Sequence, residues 1–453
     1  MTMPRRMLIN AFTMNCVSHI QQGLWVRDDT RQLDYTQLDP WVELAQILEK
    51  GCFDAVFLAD VVGVYDTYHG GPETSIIEGM QIPVNDPALL IPAMAHATEN
   101  LGFAFTSSVL QTHPFTFARQ VSTLDHLSRG RVAWNIVTSY LPNAGANLGL
   151  GGLPSHDERY DRADEYLDVT YKLWEGSWED DAVLRDTQRG IYADPTKIHP
   201  INHVGKHYEV AGPHLSEPSP QRTPLLFQAG SSTRGRTFAA KHAECVFIVA
   251  PRQNLGAAAS VINDIRTQAT NEGRHPDDIR FFQGLTTVVG GTEEEAKAKA
   301  AEYLEQFSTE GALAHMSGGI GVDLAAIDLD RPLNTIDSEA MRGSVKGLIE
   351  SAPDKTQTFR DLVRNRLAGQ FLTGAPEQIA DALQEWHDAG VDGFNLVYSV
   401  TPGTFVDFID GVVPVLQARG LMQREYTPGP LRQKIFGEPR LPDSHPAAAY
   451  RRH

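Results

Sequence analysis

The feature that most constrains this chain is a repeated unit: a short β-branched or aromatic run, then a loop, then an amphipathic helix. Such repetition is the pattern of parallel strands joined by crossover helices. Eight runs read as strands, at 8–13, 55–59, 103–107, 132–137, 224–228, 245–249, 281–289 and 393–397. Their continuous apolar character suits strands covered on both faces, as a closed parallel sheet requires. Between them, Trp41, Leu44, Ala45, Ile47 and Leu48 share one face of a helix ending near Gly51, and Ile379, Ala382, Leu383 and Trp386 repeat the pattern. Thr292 and Glu295 have the spacing of a capping box at the start of a further helix. The expected fold class is α/β, a TIM (β/α)₈ barrel. A doubly wound open sheet is the rival, disfavoured because no GxGxxG follows the first strand.

Three stretches are too long for simple strand-to-helix loops: 61–87, 140–222 and 311–373, all rich in Gly, Pro and polar residues. Insertions after strand C-termini build the active site of a barrel, so these segments are expected to form lids and pocket walls. The domain reading is therefore one barrel over residues 1–425, followed by an extended C-terminal arm, 426–453. That arm carries five prolines and no periodicity, which fits either a loosely packed tail or a dimer contact.

The formal net charge of −18 disfavours nucleic acid and anionic membrane surfaces as partners. No window approaches the about 20 apolar residues needed to cross a bilayer. The chain has three cysteines, Cys16, Cys52 and Cys245, with no CxxC pair and no zinc-ligand spacing, so no metal is expected and the thiols read as those of a reduced, cytoplasmic protein. Walker A, HExxH and GxSxG motifs are absent, which removes the usual support for phosphoryl transfer, metalloprotease and serine-hydrolase chemistry.

What remains is polar residues at the ends of the strands: Asp60 after the second, Thr106, Ser107 and Ser108 after the third, Asn135, Thr138 and Ser139 after the fourth, and Ala229-Gly230-Ser231-Ser232 after the fifth. In a barrel they converge on one mouth. The run Gln228–Gly235 is a small-residue turn entering a helix, where backbone N–H groups, two hydroxyls and an arginine offer an anion site, unless the turn merely connects two elements. The charged helix from His156 to Tyr166 reads as a solvated face, with His156 a capping or hydrogen-bonding residue. Cys16 and His19 share a short loop and read as a pocket-lining thiol beside an imidazole or as a nucleophile pair. His315 reads as a lone loop histidine.

These residues also carry a resemblance. Asn10-Ala-Phe with Asn15-Cys16 and His19, Phe57-Leu-Ala-Asp60-Val-Val-Gly, Gln81-Ile-Pro-Val-Asn-Asp-Pro87, the run from Ser122 to Ser139, His156-Asp-Glu-Arg-Tyr160, Glu217-Pro-Ser-Pro-Gln-Arg-Thr-Pro224, Gln228-Ala-Gly230 and Asp392-Gly-Phe-Asn-Leu396 resemble the nitrilotriacetate monooxygenase group of bacterial-luciferase-like flavin monooxygenases over nearly the whole chain. The resemblance implies a luciferase-type barrel that takes reduced FMN from a separate NAD(P)H-dependent flavin reductase and oxygenates a small organic substrate with O₂ through a C4a-hydroperoxyflavin. It places Asp60 near the isoalloxazine, Ser139 and Tyr160 on the flavin or its phosphate, and Ala229, Gly230, Ser231 and Ser232 around the phosphate, with Ser107, Asn135, Thr138 and His156 as further cofactor-side residues. Cys16, His19, Tyr65, Gln81 and His315 are implied on the substrate side. There Tyr140 departs from the histidine of alkane-oxidising members; it keeps a hydrogen-bond donor but is no base near neutral pH. His19, Gln81 and Tyr140 are the expected donors to a flavin peroxide. A pocket bearing Cys16, Val62, Tyr65 and Ile82 points to an alkane, dialkyl sulfide or related compound over a polycarboxylate. The resemblance also implies a homodimer or homotetramer. Two alternatives remain: a deazaflavin-dependent hydride-transfer enzyme of the same superfamily, and a non-enzymatic flavin-binding protein.

Overall fold

In the computed structural model, which describes residues 6–252, 254–335, 349–350, 352 and 354–452, eight parallel strands form a closed ring. They are β1 (Leu8–Met14), β2 (Ala55–Ala59), β3 (Gly102–Ser108), β4 (Val132–Val137), β5 (Leu225–Gln228), β6 (Cys245–Ile248), β7 (Arg280–Val289) and β8 (Gly393–Val397). Pairing runs in sequence from β1 to β8 and back to β1, with Cys245 opposite Arg280 where β6 meets β7 and Leu8 opposite Gly393 where β8 meets β1. An open sheet would leave two edges, so these two pairings exclude the doubly wound rival. The fifth strand begins one residue later than its run because Pro224 has no N–H for the ladder. The sixth stops before Val249, which is 81% exposed at the strand end.

Side-chain alternation divides each strand between two cores. Outward residues such as Val56, Leu58, Leu226 and Phe281 join the layer of helices, while Phe12, Phe57, Phe227, Phe247 and Phe282 fill the barrel interior. The interior rings meet mostly edge to face, with Phe12 5.0 Å from Phe247 and Phe57 5.2 Å from Phe227 between centroids. Each fully buried ring contributes about 2–3 kcal/mol through removal of apolar surface from water. Gly284 on β7 makes room for this packing, because a Cβ there would stand 2.6 Å from the Phe247 ring. The barrel is thus a solid plug whose upper layer is the floor of the mouth.

Among the helices are α1 (Asp39–Lys50), α2 (His156–Gly176), α3 (Thr233–His242), α4 (Glu293–Gln306), α5 (Thr309–Ile320), α6 (Phe359–Ala368) and α7 (Pro376–Asp388), with two more long ones over Pro114–Leu127 and Leu255–Asn271. α1 buries Trp41, Leu44, Ala45 and Leu48, and α4 starts on the capping box formed by Thr292 and Glu295. The long insertions carry more regular structure than their composition indicates. The second contains two antiparallel hairpins, Val183–Asp186 with Ile191–Ala193 and His203–Val204 with Glu209–Val210. The third contains α5, α6 and a short strand, Phe371–Gly374, that extends the sheet beside the far end of β7; its residues 336–348, 351 and 353 lie outside the described residues. Among the described residues no helix is long and apolar enough to cross a membrane.

The segment expected as an extended arm instead folds over the N-terminal end of the barrel. It contains a helix, Leu431–Phe436, with Leu431 packed among the interior barrel residues and Arg432 fully buried. Arg432 makes a two-pronged ion pair with Glu244, at 2.6 and 3.0 Å, and donates to the carbonyls of Thr223 and Pro224, each at 2.9 Å. Five donors on one guanidinium let this single side chain tie the tail to the starts of β5 and β6. Prolines hid this packing because they suppress periodicity without preventing burial. Removing one partner leaves a buried charge alone, so Arg432→Met is expected to lower the unfolding free energy by about 3–5 kcal/mol in urea titrations, and adding Glu244→Gln should restore part of the loss. An unchanged midpoint in Arg432→Met would show that the pair does not hold the tail.

Candidate functional site

The ends of β2, β3 and β4 surround a cavity of about 70 Å³ lined by Asp60, Thr106, Ser108, Gln111, Ser139 and Tyr140, among others. The period-2 alternation of β3 puts Thr106 and Ser108 on this lining and turns Ser107 away, toward Gln111. Ser107 is therefore beside the site and Ser108 is in it. Ser139 donates to the Ser108 hydroxyl at 2.8 Å from a left-handed backbone, φ 61°, a conformation costing about 1–3 kcal/mol for a residue with a side chain. Asn135 donates to Thr106 at 2.9 Å and leaves its own buried carbonyl oxygen without a partner. Thr138 is partly buried between two lining residues and is not itself on the lining. Gln111, which sequence reasoning missed, binds the Ser108 amide at 2.5 Å and reaches Asp60 at 3.4 Å. It lies three residues past a strand in an irregular turn, where no periodicity marks it. Burial pushes the Asp60 carboxyl up to about 7, aided by Asp86 and opposed by Gln111 and the Val61 amide.

A second group stands after β5, the strand paired to β4. Ser232 caps α3 by accepting from the Gly235 amide at 3.1 Å, and its hydroxyl meets His156 Nε2 at 3.1 Å. The Tyr160 ring packs its hydroxyl onto the turn so closely that a Cβ at Gly230 would stand 2.5 Å from Tyr160 Oη, and one at Gly235 2.8 Å. Ala229 and Ser231 are exposed there. The arginine expected to face an anion, Arg234, is turned away: it lies over the Tyr160 ring and pairs with Asp161 at 3.1 Å and Asp164 at 2.5 Å. Burial opposes the charge of Asp164, but His242, Arg234 and Lys241 hold its carboxyl well below the ordinary range, so Asp164 stands as an anion matched by Arg234 and Lys241. The serine hydroxyls and the helix N-terminus are what remain for a ligand.

The six residues expected on the substrate side come together as one cluster. The Tyr65 hydroxyl bonds the Tyr140 hydroxyl and lies 3.4 Å from Gln81 Oε1, while its ring meets His315 edge-on at 5.1 Å between centroids. Gln81, itself at φ 51°, donates to the His19 carbonyl at 3.0 Å. Cys16 is buried, and burial pushes its thiol well above the ordinary value. A thiol held protonated argues against the nucleophile reading. His315 lies on α5 and not in a loop; helix and ring contact were both invisible to a reading of it as isolated. Tyr140 is 51% exposed, with its hydroxyl directed inward. Across the mouth, a larger cavity of about 1040 Å³ has apolar walls from Phe12, Phe247, Leu285, Leu362 and Val397, with Arg252 and Arg366 also on the lining. Among the described residues no group of three or more His, Cys, Asp or Glu side chains could hold a metal.

A model of the luciferase-like monooxygenases matches residues 14–393. The chain belongs to that family. It is 50% identical, over 99% of both chains, to the long-chain alkane monooxygenase of Geobacillus thermodenitrificans (strain NG80-2). The crystal structure of DmoA from Hyphomicrobium sulfonivorans, a species whose dimethyl-sulfide monooxygenase is likewise 48% identical, superposes with a TM-score of 0.93, covering 99% of this chain and 96% of that one. A riboflavin lyase crystallised with modified FMN and riboflavin superposes at 0.88 with 37% identity, covering 99% of this chain and 100% of that one. The chain is an enzyme, and the two relatives at 50% and 48% identity are monooxygenases named for long-chain alkanes and dimethyl sulfide.

Burial also fixes the charge state of the cluster. It lowers His19 to about 3, with His315 adding to the effect, and lowers His315 to about 4. Unfolded histidine binds its proton near 6.5, so the unfolded state takes up protons first as the pH falls. Stability is therefore full above about pH 6.5 and drops below it by about 1.4 kcal/mol per pH unit for each histidine. Urea midpoints compared between pH 7 and pH 5 should fall less in His19→Gln than in the unmodified chain; an equal fall in both would mean that His19 is not held neutral.

Proposed function

We propose that the chain is the oxygenase of a two-component, flavin-dependent monooxygenase. It takes reduced FMN from a separate NAD(P)H-dependent flavin reductase and, with O₂, inserts one oxygen atom into a small or apolar substrate: an alkane, a dialkyl sulfide or a related organosulfur compound. The observation that carries this reading is the corner at the N-terminus of α3. Ser231, Ser232, Tyr160 and His156 converge there, with Asp161 and Asp164 paired to Arg234, one strand away from the Asp60 cavity.

These residues fit an FMN tail. Glycine at 230 is required because Tyr160 already occupies the space of a side chain, and the buried Gln228 and Asn135 carbonyl oxygens lack partners between the corner and the cavity. Ser231, Ser232 and Tyr160 would hold the phosphate, while Asp60, Ser108 and Ser139 would meet the ring edge; the cavity of about 70 Å³ has room for an edge and not for a whole ring system. Bound there, reduced FMN supplies the electrons and the site of oxygen activation. The chain's own residues then position and shield. Tyr65, Tyr140 and Gln81 present hydroxyl and amide donors, neutral His19 and His315 neither add charge nor leak protons, and the apolar wall of the larger cavity takes the substrate in preference to water. The similarity to monooxygenases named for alkanes and dimethyl sulfide supports the same substrate range.

Anaerobic titration with reduced FMN should saturate, and Tyr160→Phe should weaken binding by about 10- to 100-fold, the equivalent of one hydrogen bond to a charged group. With a generic flavin reductase, NADH and O₂, an alkane or dialkyl sulfide should be oxygenated in proportion to NADH consumed. No saturable binding, or only uncoupled peroxide release with every substrate, would overturn the proposal.

A further inference from the structure

Asp60 is a partly buried carboxyl at the end of β2 without a counter-charge. Its side chain lines the cavity together with Thr106, Ser108, Ser139 and Tyr140 and accepts hydrogen bonds from neutral donors alone, a long one of 3.4 Å from Gln111 and one from the Val61 amide. The groups that face it from neighbouring elements do not supply a cation. From the loop after β1 comes the Cys16 thiol, held protonated by burial and further by the charge of Asp60. From the first insertion comes Asp86, a second carboxylate, engaged in capping the turn at Pro87–Leu89 through the Ala88 amide at 2.9 Å. From the end of β4 comes Tyr140, whose hydroxyl is raised by burial. Around an anionic Asp60 the surroundings are therefore either neutral or of the same sign, and a charge placed there without a partner is disfavoured.

Resting on the flavin reading above, we infer that Asp60 meets the ring of reduced FMN as a neutral carboxylic acid, donating a hydrogen bond from its O–H. As the anion it would repel an electron-rich reduced ring. The carboxyl that burial carries up to about 7 is then poised so that flavin binding takes up one proton from solvent when the pH is above neutrality. The linkage has a definite sign. Below about pH 7 the acid form is already present and affinity is flat in this group; above it, each pH unit costs about a factor of ten in affinity, the value for one proton. Asp60 thereby becomes a positioning acid for the cofactor, and it makes loading with reduced FMN sensitive to pH just above neutrality.

The test compares reduced-FMN dissociation constants of the full chain and Asp60→Asn, measured anaerobically at pH 6.0 and 8.5. Asparagine keeps a neutral donor, so the variant should bind within about threefold of the unmodified chain at pH 6.0 and about 30-fold more tightly than it at pH 8.5. Taking the ratio between variants removes the flavin's own ionisation. The flavin-free chain should also show the infrared carbonyl band of a protonated carboxyl at pH 6.0 that is lost by pH 8.5 and missing in Asp60→Asn. A pH-independent ratio of affinities, weaker binding by Asp60→Asn at pH 8.5, or absence of the band would overturn this inference alone. Failure of the unmodified chain to bind reduced FMN at either pH would overturn the flavin reading itself.

Discussion

The pairing of β6 with β7, Cys245 through Ile248 against Arg280 through Gln283, closes the sheet, and the site depends on that closure. An open parallel sheet offers a ligand only the crevice where strand order reverses. A closed one brings every strand end to a single rim. Closure in turn needs an interior that is filled, and the packed phenylalanines 12, 57, 227, 247 and 282 fill it, with Gly284 removed from their way. The floor of the mouth is consequently built on aromatic rings, while polar groups follow at the strand ends, at Asp60, Ser108, Ser139 and the Ser231-Ser232 turn.

From that rim two chemistries are separated by position. Strands β4 and β5 lead to hydroxyls and a helix N-terminus, which suit an anion. The loop after β1 and the first and third insertions supply Cys16, His19, Tyr65, Gln81 and His315, a cluster in which burial removes charge from both imidazoles and keeps the thiol protonated. Left-handed backbone at Ser139 and Gln81, one in each group, shows strain stored at both places where a side chain must be aimed inward.

How much of this was legible depended on the range of the interaction. The eight barrel strands and the faces of α1 and α7 were readable because burial on two faces or one writes a local period into the sequence. The turn at 228–235 was readable as the entry to a helix, because its small residues include a serine at the capping position. Three things were not. The tail was misread because Arg432 finds Glu244 across 188 residues, and no local pattern encodes that pairing. The expected role of Arg234 was lost to Asp161 and Asp164, one helix away in space and about seventy residues away in sequence. Ser107 and Ser108 could be ranked only once the register of β3 was known, since a shift of one residue exchanges the two faces.

The central claim, that the corner of Ser231, Ser232 and Tyr160 orients a flavin whose ring edge reaches Asp60, is tested most directly by an anaerobic crystal structure of the chain with reduced FMN. The account predicts phosphate oxygens within hydrogen-bond distance of the Ser231 and Ser232 hydroxyls and Tyr160 Oη, with the ring edge between Asp60 and Ser139. A phosphate bound instead at Arg252 and Arg366, with the ring confined to the larger cavity, would contradict it.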